Sequence, residues 1–172
     1  NGDYRVIEFA GGERLSRDQR MTLTHLTVEI GAKSAIFPTP PNELTADALS
    51  QDLVPDADAS YALTYDVDLG AIEPVVAVPP SPDCSTPISA VLGRKLDQVY
   101  IGSCAGGRME DMRTTAAILS KGRVSEKVRC YVVPSTVDIY RQAMDEGLLK
   151  IIADAGAIIM QPTCAPCFGQ ST

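Results

Sequence analysis

The chain has 172 residues, 45% of them hydrophobic and 22% charged, with a formal net charge of −7. That length holds one medium domain or two small ones with an ordinary core. The acidic balance argues against a nucleic-acid groove, which needs clustered Lys and Arg, though not against a small acidic substrate held by a few local cations. No apolar run approaches the roughly 20 residues of a membrane helix, and the start carries no signal-peptide pattern.

Residues 5–9, "RVIEF", predict a short strand. Ser16 with Gln19 forms a capping-box pattern, Asp18 sits in the first turn, and Met21, Leu23, Leu26, Val28 and Ile30 recur at mostly helical spacing. Gly31 is the expected stop of that helix. "SAIFP" (34–38) predicts a second strand, and "PTPPNEL" breaks regular structure. Residues 40–60 are polar, acidic and rich in Ala, Asp and Pro, with a short helix expected around 45–50 and then a linker. This places a domain boundary there: 1–55 as the end of one α/β domain, 56–172 as most of a second. "YALTYDVDLG" (61–70) alternates as a strand, and "VVAVPPSPDCSTP" (75–87) reads as a strand entering a Pro-rich loop.

From residue 96 the pattern is α/β. "LDQVYIGSC" is an apolar strand, "GGR" turns into a helix over about 109–121, and "VRCYVVP" (128–134) is a second strand. Ser135 is placed to cap a helix over about 136–147, "LLKIIADAG" adds a further helical turn, and "AIIMQP" (157–162) is a third strand. Strands and helices alternating at these lengths imply parallel sheets flanked by helices. Ligands of such sheets gather at the carboxyl ends of the strands.

The five cysteines are Cys84, Cys104, Cys130, Cys164 and Cys167, an odd number at irregular spacing and a poor disulfide framework. A reducing, cytoplasmic setting fits them better. Cys104 follows the first strand of the α/β unit, and the C-x-x-C pair Cys164–Cys167 follows the third. Three thiols therefore converge at one sheet edge. Backbone N–H groups and the dipole of the helix after Cys104 favour thiolate there. Thiolates suit soft metals and iron–sulfur clusters. On spacing alone a redox dithiol and a structural zinc site stay open, although no fourth zinc ligand is apparent: His25, the single histidine, lies far upstream and Cys130 sits mid-strand as a core residue.

"IGSCAGGRMEDMR" (101–113) resembles the signature around the first cluster cysteine of the aconitase superfamily, usually I-G-S-C-T-N, and "TCAPCFGQ" resembles its second. "MTLTHLTVEIGAKSAIFP" (21–38) resembles the family helix M-T-x-x-N-M-x-x-E-x-G-A, and "PPSPD" (79–83) a loop before the first cysteine. The large subunits of isopropylmalate isomerase and homoaconitase-like enzymes are the nearest in pattern. The resemblance implies an α/β fold and a 4Fe–4S hydro-lyase that moves a hydroxyl between adjacent carbons of a di- or tricarboxylic acid. It implies Cys104, Cys164 and Cys167 as cluster ligands and Glu29 as a catalytic carboxylate near the substrate hydroxyl, with His25 at a near-site position; Ser103 and Arg108, beside Cys104, are further near-site candidates, ordinary helix-surface charge being the favoured reading of Arg108. It also implies a small subunit or swivelling domain as partner, together with N-terminal and downstream segments that complete the site, so residues 1–172 alone are expected to be inactive. The chain lacks an initiator Met and stops soon after Cys167, which reads as a fragment of something longer. Ala105-Gly106 stand where the family has Thr-Asn, and His25 where it has Asn. These departures keep open a non-catalytic module that binds a cluster or zinc through the same three cysteines.

Overall fold

A computed structural model describes residues 2–37 and 55–170. The chain divides into two compact units, Asn1–Val54 with Asp97–Thr172, and Pro55–Leu96. The compact units thus run differently from the consecutive division at residue 55: the N-terminal segment folds with the cysteine-bearing one, because helix packing and a side-chain bond join them, as described below. The helix expected around 45–50 lies outside the described residues.

In the first unit, β1 (Val6–Glu8) pairs in parallel with β2 (Ser34–Ile36), Val6 opposite Ser34. Helix α1 (Arg17–Leu26) connects them. Its start follows the sequence: Ser16 Oγ accepts from Gln19 N–H at 3.2 Å, and Gln19 Oε1 accepts from Ser16 N–H at 3.0 Å. The periodicity that runs on to Ile30 is helical throughout, but its last turn, Thr27–Ile30, tightens to 3-10 geometry. Two hydroxyls bond back onto the helix there, Thr24 Oγ1 to Met21 C=O at 2.9 Å and Thr27 Oγ1 to Thr24 C=O at 2.7 Å, a competition that weakens regular helix. Gly31 ends the segment at φ 84°, the left-handed conformation that favours glycine.

The second unit is small. A 3-10 turn at Leu69–Ala71 is capped by Asp68, whose carboxylate accepts from Gly70 N–H at 2.9 Å. Strand β3 (Val75–Ala77) pairs antiparallel with β4 (Ser85–Pro87). The strand expected over 61–70 does not form: all ten residues are exposed, and alternation specifies a half-buried strand only where one face has a core to cover.

The rest of the first unit is a parallel sheet of order β5 (Gln98–Gly102), β6 (Arg129–Val133), β7 (Ile158–Ile159). A short helix α2 (Ser103–Gly106) and helix α3 (Met109–Leu119) link β5 to β6, and α4 (Val137–Asp145) and α5 (Leu148–Asp154) link β6 to β7. Cys130 to Val133 of the middle strand are buried, as expected of a strand covered on both faces. Met112 from α3, Ile152 from α5 and Ala143 from α4 pack with Val132 in the core, all fully buried. Helix α4 is capped by Thr136, not Ser135: Thr136 Oγ1 accepts from Ile139 N–H at 3.2 Å, while Ser135 uses its own N–H to reach Gly107 C=O at 2.9 Å. Among the described residues no helix is long and apolar enough to cross a membrane.

Candidate functional site at the carboxyl edge of the sheet

Strand β5 delivers Cys104 through an unusual turn. Gly102 has φ 118° and Ser103 φ 69°, so two successive residues leave the ordinary L-residue regions. Gly102 has no alternative: a Cβ there would stand 2.0 Å from the Val133 carbonyl oxygen of the neighbouring strand. Gly107 is equally confined, its Cβ position lying 2.5 Å from Val133 O, 2.6 Å from Ser103 O and 2.7 Å from Ser135 N. The turn is thus pressed onto the end of β6, and α2 carries Cys104 outward with an exposed side chain. Helix α1 packs on α2, where Thr22 Oγ1 donates to Ala105 C=O at 2.7 Å.

Cys164 and Cys167 follow β7. Cys164 caps a 3-10 turn, Ala165–Phe168, and Cys167 lies within it; both are exposed. The turn is closed by its own bonds, Cys167 N–H to Cys164 C=O at 3.0 Å and Ala165 N–H to Thr163 Oγ1 at 3.1 Å. One side-chain contact reaches across to β5: Cys167 Sγ stands 3.4 Å from Tyr100 Oη. The thiol donates in that pair; as a thiolate the sulfur would accept from the phenol O–H. Burial, then the bond to Cys167 and its charge, push the Tyr100 hydroxyl above its ordinary range, against a smaller opposite effect of a hydrogen bond with Ser103. Cys164 adds a further small upward push. Tyr100 therefore stays protonated and remains available as a donor to sulfur. In the sequence Tyr100 is one residue of the apolar strand "LDQVYIGSC". The clue was its position: in an alternating strand it shares a face with Gly102, two residues before the signature cysteine.

Ser103 joins the site through Tyr100. The structure gives Arg108 and His25 a shared contact: Arg108 Nη2 lies 3.2 Å from His25 Nδ1. Arg108 is 6% exposed, not a helix-surface charge, and its backbone N–H is accepted by Asp111 Oδ2 at 2.9 Å, which opens α3. Arg113 is on the surface, bound bidentately by Glu146 at 2.9 and 2.7 Å. Glu29 is exposed in the 3-10 turn after α1. Ser135 has a buried Oγ with no partner among the described residues. Cys130 is buried in β6, and burial pushes its thiol up, as a core residue requires. Cys84 belongs to the second unit and is exposed.

The donor set fits an iron–sulfur cluster in its chemistry: three free, exposed thiols that follow the two outer strands of the β5-β6-β7 sheet, with a protonated phenol beside one of them. Among the described residues no three His, Cys, Asp or Glu side chains stand close enough to hold one metal ion. A single zinc ion needs its thiolates within one tetrahedron, whereas a cubane attaches each to a different iron.

A parallel sheet with flanking helices, with Cys104 following β5 and Cys164 and Cys167 following β7, defines the chain as an α/β protein. The sequence profile of the aconitase family (aconitate hydratase) matches residues 1–94 and 91–172, and the chain belongs to that family. It is 44% identical to the 3-isopropylmalate dehydratase large subunit of Halothermothrix orenii, over 96% of this chain and 41% of that protein. It is 41% identical to that of Sulfurihydrogenibium sp., over 96% of this chain and 40% of the relative. With large subunit 2 of Rubrobacter xylanophilus it shares 42% identity, over 98% and 41% respectively. The chain thus spans about two fifths of the length of these curated relatives.

Proposed function

We propose that this chain is the cluster-bearing part of a hydro-lyase large subunit that isomerises a malate-type hydroxy diacid in the manner of 3-isopropylmalate dehydratase. The observation that carries the reading is the contact of Cys167 with Tyr100, which brings the C-x-x-C turn to the strand that delivers Cys104. Cys104, Cys164 and Cys167 would hold a 4Fe–4S cluster. When bound, such a cluster supplies a Lewis-acidic iron for a substrate oxygen. The Tyr100 O–H would donate a hydrogen bond to the Cys167 thiolate and hold the C-x-x-C turn against β5. Glu29 would exchange a proton with the migrating hydroxyl through a carboxylate oxygen. A small subunit and further segments of the large subunit would supply the remaining contacts to substrate. The relatives' names support the reaction class, and the identity over nearly all of this chain supports carrying it here.

The test is to assay the complete large subunit, assembled with a small subunit and reconstituted anaerobically, for dehydration of 2-isopropylmalate and malate. Glu29→Gln is expected to lower kcat about a hundredfold or more. A reconstituted protein with no dehydration or hydration of either acid points instead to a non-catalytic cluster module, which the Ala105-Gly106 and His25 departures keep open.

A further inference from the structure

His25 Nδ1 sits between two groups that make opposite demands on it. The Met21 carbonyl oxygen lies 2.8 Å away and can only accept, so it requires Nδ1–H. Arg108 Nη2 lies 3.2 Å away and can only donate, so it requires a bare Nδ1 lone pair. One nitrogen cannot serve both, and the proton must be on one side of the ring or the other.

The surroundings decide between them. The Met21 carbonyl is already satisfied, because Thr24 Oγ1 donates to it at 2.9 Å and it lies inside α1, where the ordinary helical bond also reaches it. The Arg108 guanidinium is not satisfied. It is 94% buried by its 6% exposure, and its Nε has no partner among the described residues. Turning Nδ1–H toward it would leave a buried cation with a second unmet donor and a repulsive N–H facing it, a heavier penalty than a carbonyl losing a third contact.

We infer that Arg108 is a positioning residue that fixes His25 as the Nε2–H tautomer and so turns the exposed ring into a permanent hydrogen-bond donor for a ligand oxygen. The placement suits that role. His25 lies one helical turn beyond Thr22, the residue that docks α1 on the Cys104 helix, and so shares its face. Arg108 lies four residues after Cys104. The departure of His25 from the family's Asn thus brings its own support: an imidazole can donate outward reliably only if something holds its other nitrogen as an acceptor. That the ligand oxygen belongs to a hydroxy diacid rests on the hydro-lyase reading above; the tautomer does not.

The chain contains a single histidine, so ring nitrogen NMR of the histidine-labelled chain reports this site alone. At neutral pH the long-range proton–nitrogen pattern should be that of a neutral Nε2–H ring. In Arg108→Met, which keeps the backbone bond to Asp111, the proton should move to Nδ1 and bond Met21. A neutral Nδ1–H ring or a doubly protonated ring in the unmodified chain overturns the inference, as does an unchanged tautomer in a folded Arg108→Met. If that variant does not fold, the unmodified chain's tautomer decides alone. In the assembled enzyme, Arg108→Met and His25→Phe should each raise KM for the diacid roughly tenfold, the value of one lost hydrogen bond. An unchanged KM removes the donor role. Absence of activity in the unmodified enzyme would count against the hydro-lyase reading and leave the tautomer result standing.

Discussion

The two cysteine-bearing loops are built in opposite ways. The loop after β5 is held from outside: Val133 and Ser135 press on Gly102 and Gly107, Ser135 N–H bonds Gly107 C=O, and Thr22 reaches Ala105 from another helix. The loop after β7 is held from inside, by a 3-10 turn that closes on itself through Cys164, Ala165 and Pro166 carbonyls. Its side-chain link to the strand of the other loop is Cys167 to Tyr100. One half of the site is thus part of the fold's packing and the other half is locally organised. A ligand that bonds all three thiols would complete the second half more than the first.

The largest effect should come from breaking the rigid half. Gly102→Ala forces a Cβ to within 2.0 Å of a backbone oxygen at a positive φ, and is expected to cost about 3 kcal/mol or more, read by denaturant unfolding of the chain. A cost under about 1 kcal/mol would mean that β5 and β6 can separate at this point and that the loop is not pressed at all. The local half should respond differently. Thr163→Ala removes the hydroxyl that accepts from Ala165 N–H, and should lower global stability by no more than about 1 kcal/mol while speeding hydrogen exchange within the 3-10 turn. A loss as large as that of Gly102→Ala would erase the contrast.

The smallest effect lies away from both loops, and serves as their control. Arg113, then Gln142, hold the Glu146 carboxyl below the usual carboxylate range through hydrogen bonds. A carboxyl whose folded pKa is depressed stabilises the fold above its unfolded value, about 4.3, and that contribution disappears as pH falls through the folded value. The melting-temperature difference between the unmodified chain and Glu146→Gln should therefore be small at pH 7, shrink with added salt, and vanish in acid. A difference that grows in acid would reverse the sign of the linkage.

Much of this arrangement was legible in the residues. The capping box at Ser16, the stop at Gly31, the three strands and the positions of the cysteines beyond β5 and β7 all follow from periodicity and turn chemistry. What was not legible depends on contacts between distant segments. Arg108 looks like a helix-end surface charge until the fold buries it against His25, and Tyr100 looks like any strand aromatic until the C-x-x-C turn reaches it across 67 residues. Residues 61–70 alternate convincingly yet form no strand, because alternation cannot say whether there is anything to bury against. Thr136 and Ser135 are both competent caps, and only the approach of Gly107 assigns Ser135 N–H elsewhere.

On the proposed function, two differently built loops would present three thiols to one ligand. Anaerobic reconstitution of the chain with iron and sulfide tests it most directly, with iron and acid-labile sulfide counted alongside the visible charge-transfer absorbance. Cluster formation is expected in the unmodified chain and in Cys84→Ala, and its loss in each of Cys104→Ala, Cys164→Ala and Cys167→Ala. A cluster that survives Cys104→Ala, or a chain that takes up zinc and no iron–sulfur cluster, would contradict it.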